Sequence, residues 1–205
     1  MSSSLRPIVM HYNDPDFQGK VRHLLDEHSM QAFLHSRKSL AQSVSAIVED
    51  VRNRGDAAVA DYTEKFDKVK LSAAQFRIPQ EELKKAHTGL EKELLQSLRK
   101  AIENVRRYQA EIFIGNKITS PGIRYLPLQL VGVCIPGASA PLPSTVIMTA
   151  VPAQVAGVKD IVVISPPRYQ GGIHPVILGL CFELGITEVY RLGGAHAVAA
   201  LAWGT

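Results

Sequence analysis

The fold is decided by the stretch Val131-Gly-Val-Cys-Ile-Pro-Gly-Ala-Ser-Ala-Pro-Leu-Pro-Ser-Thr145, which passes from an apolar strand through a glycine turn into a helix. A second stretch, Gly193-Gly-Ala-His-Ala-Val-Ala-Ala-Leu-Ala-Trp-Gly-Thr205, repeats this order after the apolar segment 188–192. In α/β proteins such turns direct backbone N–H groups toward a bound phosphate. The two stretches therefore predict an α/β region of the nucleotide-binding type.

Strands and helices alternate around these two turns. The pattern predicts strands at 123–126, 129–135, 160–165 and 188–192, and helices at 144–156, 174–184 and 194–203. This β-α-β-α-β-α order predicts a parallel, doubly wound, Rossmann-like sheet with right-handed crossovers. Because the chain stops in the last of these helices, we expect the sheet to be incomplete.

The amino-terminal part of the sequence has a helical character. We expect residues 1–20 to be irregular and a helix to follow at about 39–54, because Val44, Ile47, Val48 and Val51 share one helix face. Gly55 suits the end of that helix, and Asp56 suits the N-cap of the next. We therefore divide the chain into residues 1–120, the mainly helical and incomplete part of a first domain, and residues 121–205, a Rossmann-like cofactor domain incomplete at its C-terminus.

Composition excludes several classes of protein. Hydrophobic residues make up 46%, charged residues 20%, and the formal net charge is +4, as in ordinary globular domains. There is no cluster of Lys and Arg with interleaved aromatic residues, which argues against nucleic-acid binding. Prolines interrupt the uncharged segment between Arg124 and Lys159 too often for a membrane-spanning helix. The amino terminus lacks an apolar signal core, so we expect a cytoplasmic protein.

Two residues near the turns are candidates for ligand binding. Gly137 permits a positive φ or a close backbone approach, although a strand-to-helix turn with no ligand stays equally open. His196 lies in the first turn of the last helix, where the positive end of the helix dipole favours the neutral imidazole. A lone histidine in such a place is more often structural than functional.

Searches for metal sites and nucleophiles in the sequence give little. No two of the seven histidines have the i, i+4 spacing of a helical zinc site. Cys134 and Cys181 do not make a disulfide framework, which fits a reducing compartment, and they are not a C-x-x-C pair. Cys134 could act as a nucleophile, but no charged residue is near it in sequence, and a buried, inert thiol is the better interpretation.

An ordered series of motifs resembles the histidinol dehydrogenase family along nearly the whole chain. The motifs are Ile47-Val-Glu-Asp-Val-Arg-Asn-Arg-Gly-Asp-Ala-Ala-Val-Ala-Asp-Tyr-Thr-Glu-Lys-Phe-Asp67, Ile135-Pro-Gly137, Ala140-Pro-Leu142, Ser144-Thr-Val146, Pro152-Ala153, Ala156-Gly157, Ser165-Pro-Pro167 and the stretch 193–205. So many matches in the right order make the resemblance specific.

The resemblance implies a zinc-dependent enzyme that oxidises L-histidinol to L-histidine in histidine biosynthesis. Two NAD molecules would take two successive hydrides by way of an aldehyde, and zinc would hold the imidazole and amine of the substrate. The resemblance also implies a homodimer and a fold of the aldehyde-dehydrogenase-like class.

Carried over residue by residue, the resemblance assigns cofactor binding to Cys134, Gly137 and His196. The family has Tyr at the position of Cys134, Gly at the position of Ala138, and Gln at the position of His196. Its catalytic residues and zinc ligands match no position of this chain. We therefore expect no catalytic residue and no zinc ligand within these 205 residues, which by themselves should be inactive.

Three interpretations of the chain follow. The first is the amino-terminal portion of a histidinol dehydrogenase. The second is a short non-catalytic homologue that binds a nucleotide or a protein partner. The third is another dehydrogenase of the wider aldehyde-dehydrogenase-like class, with Cys134 as its nucleophile.

Overall fold

The computed structural model describes residues 10–27, 29–30, 38–115, 118–119, 122–137 and 140–205. The chain divides into two units, Met1–Ala46 and Ile47–Thr205. Helix α1 (Phe17–Glu27) lies in the first unit, and helix α2 (Lys38–Arg54) begins there and continues into the second. Residues 1–20 were expected to be irregular, and this is wrong for residues 17–20, where α1 begins after the Asn13–Asp16 turn. Residues 1–9 lie outside the described part of the chain.

Six α-helices and a three-stranded parallel sheet are found in the described part of the second unit beyond α2. The helices on the amino-terminal side are α3 (Asp56–Asp67), α4 (Gln80–Thr88) and α5 (Lys92–Ile112). Gly55 joins α2 to α3 with a φ of 57°, a value that glycine adopts without steric cost. Gly55 also takes the N-cap position, so the expectation for Asp56 is wrong by one residue. Asp56 lies in the first turn of α3 instead, where its negative charge faces the positive helix end.

The three-stranded sheet is parallel, and its strands pair side by side in chain order. The strands are β3 (Leu130–Cys134), β4 (Asp160–Ile164) and β5 (Glu188–Tyr190), and Leu130 lies opposite Asp160. Two short strands, β1 (Ile118–Thr119) and β2 (Ile123–Arg124), form a separate antiparallel pair. The predicted strands at 129–135, 160–165 and 188–192 are confirmed, each slightly shorter than expected.

Three helices follow the strands of the parallel sheet in alternation. They are α6 (Pro143–Val155), α7 (Pro175–Glu183) and α8 (Gly194–Trp203), close to the predicted bounds. Proline occupies the first turn of both α6 and α7, where its missing N–H costs no helical hydrogen bond. The parallel α/β arrangement is confirmed, whereas assignment to a Rossmann-like or an aldehyde-dehydrogenase-like class stays a prediction.

The two faces of the sheet bury different clusters. Val133, Val163 and Val189 belong to one core together with residues of α4, α5, α6 and α7. Ile164 and Leu192 belong to the other, together with residues of α2, α3 and α8. The alternation arises because successive side chains of a strand point to opposite faces. Residues on both sides of position 120 share the first core. The division of the chain into two domains at position 120 therefore stays a prediction about the complete protein.

The segment 76–78 extends the sheet beyond β5. The Ile78 N–H donates to the Val189 carbonyl at 2.8 Å, and the Arg191 N–H donates to the Phe76 carbonyl at 2.8 Å. The pairing is a single antiparallel bridge rather than a full strand. The helix that follows it, α4, is thereby fixed beside the sheet.

One ion cluster joins three helices of the second unit. Glu183, at the end of α7, accepts a hydrogen bond from Arg99 Nε of α5 at 2.6 Å, and its other oxygen lies 2.6 Å from His87 Nε2 of α4. Arg99 is the main cause that holds the pKa of the Glu183 carboxyl below its usual value. Arg99 of α5 therefore contributes to tertiary packing.

We expect Glu183→Gln to lower the free energy of unfolding by about 1 kcal/mol near neutral pH, the upper range for such a pair. A carboxyl whose pKa is lowered by folding stabilises above its unfolded pKa, and this contribution is lost as the pH falls. The difference between wild type and variant should therefore shrink in acid. Urea unfolding near neutral pH and in acid measures this difference in the free energy of unfolding, and the exposed Glu103→Gln is the control. An equal loss at both pH values would contradict the ionic explanation.

Candidate functional site

A cleft lies where the carboxyl ends of β3 and β4 meet the beginning of α8. Its volume is about 430 Å³, and its lining includes Cys134, Gly137, Pro166, Arg168 and Gly194. Ligands of open parallel sheets bind at this end of the strands. The two glycine turns that decide the fold therefore border one cavity.

Pro166 separates the two turns and explains their glycines. A Cβ atom at Gly137 would lie 2.3 Å from a ring carbon of Pro166, and a Cβ at Gly193 would lie 2.5 Å from another. Both distances are far below van der Waals contact, so only glycine fits at either position. The close approach predicted for Gly137 exists, and the group that makes it is the proline ring after β4.

The beginning of α8 presents its positive end to the cleft. Gly193 is the N-cap residue, no side chain caps the helix, and Gly194 has a φ of 68°. Both glycines line the cavity. Uncapped N–H groups at a helix N-terminus form an anion-binding site, since the helix dipole adds to their hydrogen bonds.

Arg168 adds a full positive charge at the same cleft. Its Nε donates to Asp67 Oδ1 at 3.1 Å, and the Asp67 side chain is only 3% exposed whereas that of Arg168 is 59% exposed. A buried carboxylate thus holds the base of the guanidinium while its outer nitrogens face solvent. Sequence reasoning missed both residues, because 101 positions separate them and neither belongs to a recognisable spacing.

Cys134 lies in the cleft at the last position of β3, and its residue is exposed rather than buried as expected. Partial desolvation nevertheless raises the pKa of its thiol, so the unreactive protonated form is favoured. Cys181, by contrast, is fully buried, and burial raises its pKa to about 12. The geometry gives no support to Cys134 as an activated nucleophile.

The His196 side chain does not line the cleft, although its backbone belongs to the first turn of α8. The imidazole is 1% exposed, and its ring lies about 6 Å from the rings of Tyr62 and Phe66 on α3. The structure thus brings Cys134 and Gly137 together at the cavity and places the third predicted residue behind it.

The hydrogen bonds of His196 define its tautomer. Thr63 Oγ1 donates to the Val59 carbonyl at 2.8 Å, so it can only accept from His196 Nε2, which lies 3.3 Å away. Nε2 therefore carries the proton, and Nδ1 is a buried acceptor that has no partner among the described residues. Burial is the main cause that lowers the pKa of His196, with Asp67 opposing it. A lowered pKa agrees with the neutral imidazole predicted from the helix dipole. The main cause of the lowered pKa, however, is desolvation.

Two further findings concern the described residues as a whole. Among them, no group of three or more His, Cys, Asp or Glu side chains is placed to hold a metal ion. No helix in the same part of the chain is long and apolar enough to cross a membrane.

Comparison with known proteins gives consistent matches. The family model described as histidinol dehydrogenase matches residues 32–205. The histidinol dehydrogenase of Geobacillus kaustophilus is 42% identical over 177 residues, which cover 80% of this chain and 40% of that protein. The histidinol dehydrogenase of Methanosarcina mazei is 40% identical over 198 residues, covering 88% of this chain and 44% of its own length.

A solved structure gives the same match. The crystal structure of histidinol dehydrogenase from Elizabethkingia anophelis superposes with a TM-score of 0.72 at 35% sequence identity, covering 81% of this chain and 39% of that one. The chain thus spans about two-fifths of the length of the relatives that it matches.

We expect the buried imidazole to make the protein less stable in acid. A histidine whose pKa is lowered by folding takes up a proton on unfolding, so stability is lost as the pH falls below about 6.5. The free energy of unfolding of His196→Gln should therefore fall less between neutral pH and about pH 5 than that of wild type. Urea unfolding at several pH values measures the slope. The exposed His11→Gln should keep the wild-type slope, and an unchanged slope in His196→Gln would refute this interpretation.

Proposed function

The chain belongs to the histidinol dehydrogenase family, and on this premise we propose that it forms the amino-terminal portion of an NAD-dependent histidinol dehydrogenase. The proposed overall reaction is the oxidation of L-histidinol to L-histidine, coupled to the reduction of two NAD. The proposed assembly is a homodimer acting on this small molecule. The observation that carries the proposal is the uncapped N-terminus of α8, which faces the cleft beside Arg168.

The residues of the cleft fit a dinucleotide in two respects. The N–H groups at the start of α8 and the guanidinium of Arg168 supply positive potential for a pyrophosphate. Ile135, Ile164 and Val198 supply apolar lining for the rest of the molecule, as is usual for cofactor sites. When bound, NAD supplies the hydride acceptor of the reaction.

The roles of this chain's own residues follow from their positions. Asp67 holds Arg168 in place, so that the cation is oriented before the ligand arrives. Gly137 and Gly193 contribute backbone to the cleft, because Pro166 leaves no room for a side chain at either position. His196 supports the first turn of α8 from behind through its hydrogen bond to Thr63.

Zinc, which the family implies, is not matched by the described residues. None of their His, Cys, Asp and Glu side chains form a group suited to a metal. We therefore assign no zinc ligand and derive no step through the metal from this chain.

We expect Arg168→Met to weaken NAD binding about tenfold, since it removes one charge-assisted contact to a phosphate. The apolar stem is kept, so packing against Gly137 should survive. Titration calorimetry with NAD measures the dissociation constant. The matched control is Arg77→Met, which removes an exposed arginine paired with Glu188 outside the cleft. Equal affinity of Arg168→Met and wild type would refute the assignment of the cleft.

We expect the 205-residue chain alone to form no NADH from L-histidinol, because its described residues hold no candidate metal site. The complete protein from the source organism should form NADH with both substrates present. Absorbance at the NADH band, with histidinol omitted as the blank, measures both. Turnover by the isolated chain would contradict the inactive assignment, and an inactive complete protein would favour the non-catalytic homologue.

A further inference from the structure

A second, smaller cavity adjoins the cleft on the other side of Pro166. Its volume is about 110 Å³, and its lining includes Ser165, Arg168, Tyr169 and His174. It shares Pro136, Gly137, Pro166 and Arg168 with the larger cleft but is more polar. Its described lining residues include the cation Arg168 and no carboxylate, and Asp67 pairs with Arg168 from outside the lining.

Ser165 is the central observation. The residue is 4% exposed, and its backbone N–H donates to the Tyr190 carbonyl at 3.1 Å, which continues the sheet by one position. Val163 faces the core that contains Ile177 of α7, and alternation puts the Ser165 side chain on that same face. Ile177 also lines the small cavity. The Ser165 hydroxyl donates to no described residue, and the residue lines the cavity, where a ligand can pair with the hydroxyl.

His174 provides a second donor. Its Nδ1 accepts a hydrogen bond from the Val176 N–H at 3.2 Å, because His174 is the N-cap of α7. When the imidazole is neutral, the remaining proton is therefore on Nε2. The Tyr169 ring contacts the imidazole edge-on with centroids 4.5 Å apart, which fixes both rings at the cavity wall.

A tight turn closes the cavity on the side of Tyr169. The Tyr169 and Gly172 backbones exchange two hydrogen bonds of 3.1 and 2.8 Å, and the residues between them, Gln170 and Gly171, have positive φ values. Tyr169 and Gly172, which both line the cavity, are therefore held by backbone geometry. Little reorganisation is required when a ligand binds.

We propose that this cavity, built by Ser165, Arg168, Tyr169 and His174, binds a phosphate group. Hydroxyl, imidazole and guanidinium donors are the complement of a tetrahedral oxyanion. Asp67 pairs with Arg168 Nε but does not belong to the lining of the cavity. The cavity has room for a group of that size and not for a nucleoside. Because it opens beside the proposed dinucleotide cleft, the phosphate can come from the dinucleotide or from a free ion, and the inference rests on the proposed function only in the first case.

The test is titration of the chain with inorganic phosphate, followed by calorimetry and by the midpoint of thermal unfolding. Potassium chloride at matched ionic strength is the blank. Phosphate should bind saturably and raise the midpoint, whereas chloride should not. Ser165→Ala should weaken phosphate binding about tenfold, because it removes one hydrogen bond to a charged group. Ser97→Ala, which removes an exposed helix hydroxyl, should bind phosphate as wild type does.

Tyr169→Phe keeps the proposal testable if Ser165→Ala fails to fold, since this exposed ring loses only its hydroxyl. It should also weaken phosphate binding. A phosphate effect no larger than that of chloride would overturn the proposal. Wild-type affinity in folded Ser165→Ala would overturn it as well, and so would wild-type affinity in Tyr169→Phe if Ser165→Ala does not fold.

Competition separates the two sources of the phosphate group. If NAD displaces phosphate while adenosine does not, the site takes a phosphate of the dinucleotide. If NAD and phosphate bind together, the site takes a free ion, and both results support the proposal. Phosphate binding without any NAD binding would refute the cofactor assignment alone. NAD binding without a specific phosphate effect would refute the phosphate site alone.

Discussion

The contact of Pro166 with two glycines is the constraint on which the rest of the site depends. The proline ring follows β4 and occupies the space that a side chain would take at Gly137 and at Gly193. The turns after β3 and β5 can therefore lie close to the end of β4. This proximity creates the large cleft on one side of Pro166 and the small polar cavity on the other.

Charge at the cleft comes from outside the sheet. Asp67 ends α3, yet its buried carboxylate pairs with Arg168, which follows β4. The same helix provides Thr63, whose hydroxyl accepts a hydrogen bond from His196 at the start of α8. Helix α3 thus supports both the cation and the helix N-terminus at the site, which is why α3 and the sheet form one functional arrangement.

Much of the fold could be predicted because its signals are local. Alternating apolar segments and glycine turns located β3, β4, β5 and the helices after them to within one or two residues. Helix α1 was missed, although Phe17, Val21 and Leu24 have the i, i+4 and i+7 spacing of one helix face. Gly137 was placed in the turn after a strand, at the end where parallel sheets bind ligands, but Cys134 was expected to be buried and is exposed.

The sequence by itself determined the family, the parallel order of the strands and the glycine positions, since each depends on residues adjacent along the chain. Only the tertiary structure decided which side chains face the cleft. His196 lies in the predicted turn, but helix geometry directs its ring toward α3 and away from the cavity. The partnership of Asp67 with Arg168 spans 101 positions, and such pairs arise only when packing brings distant elements together.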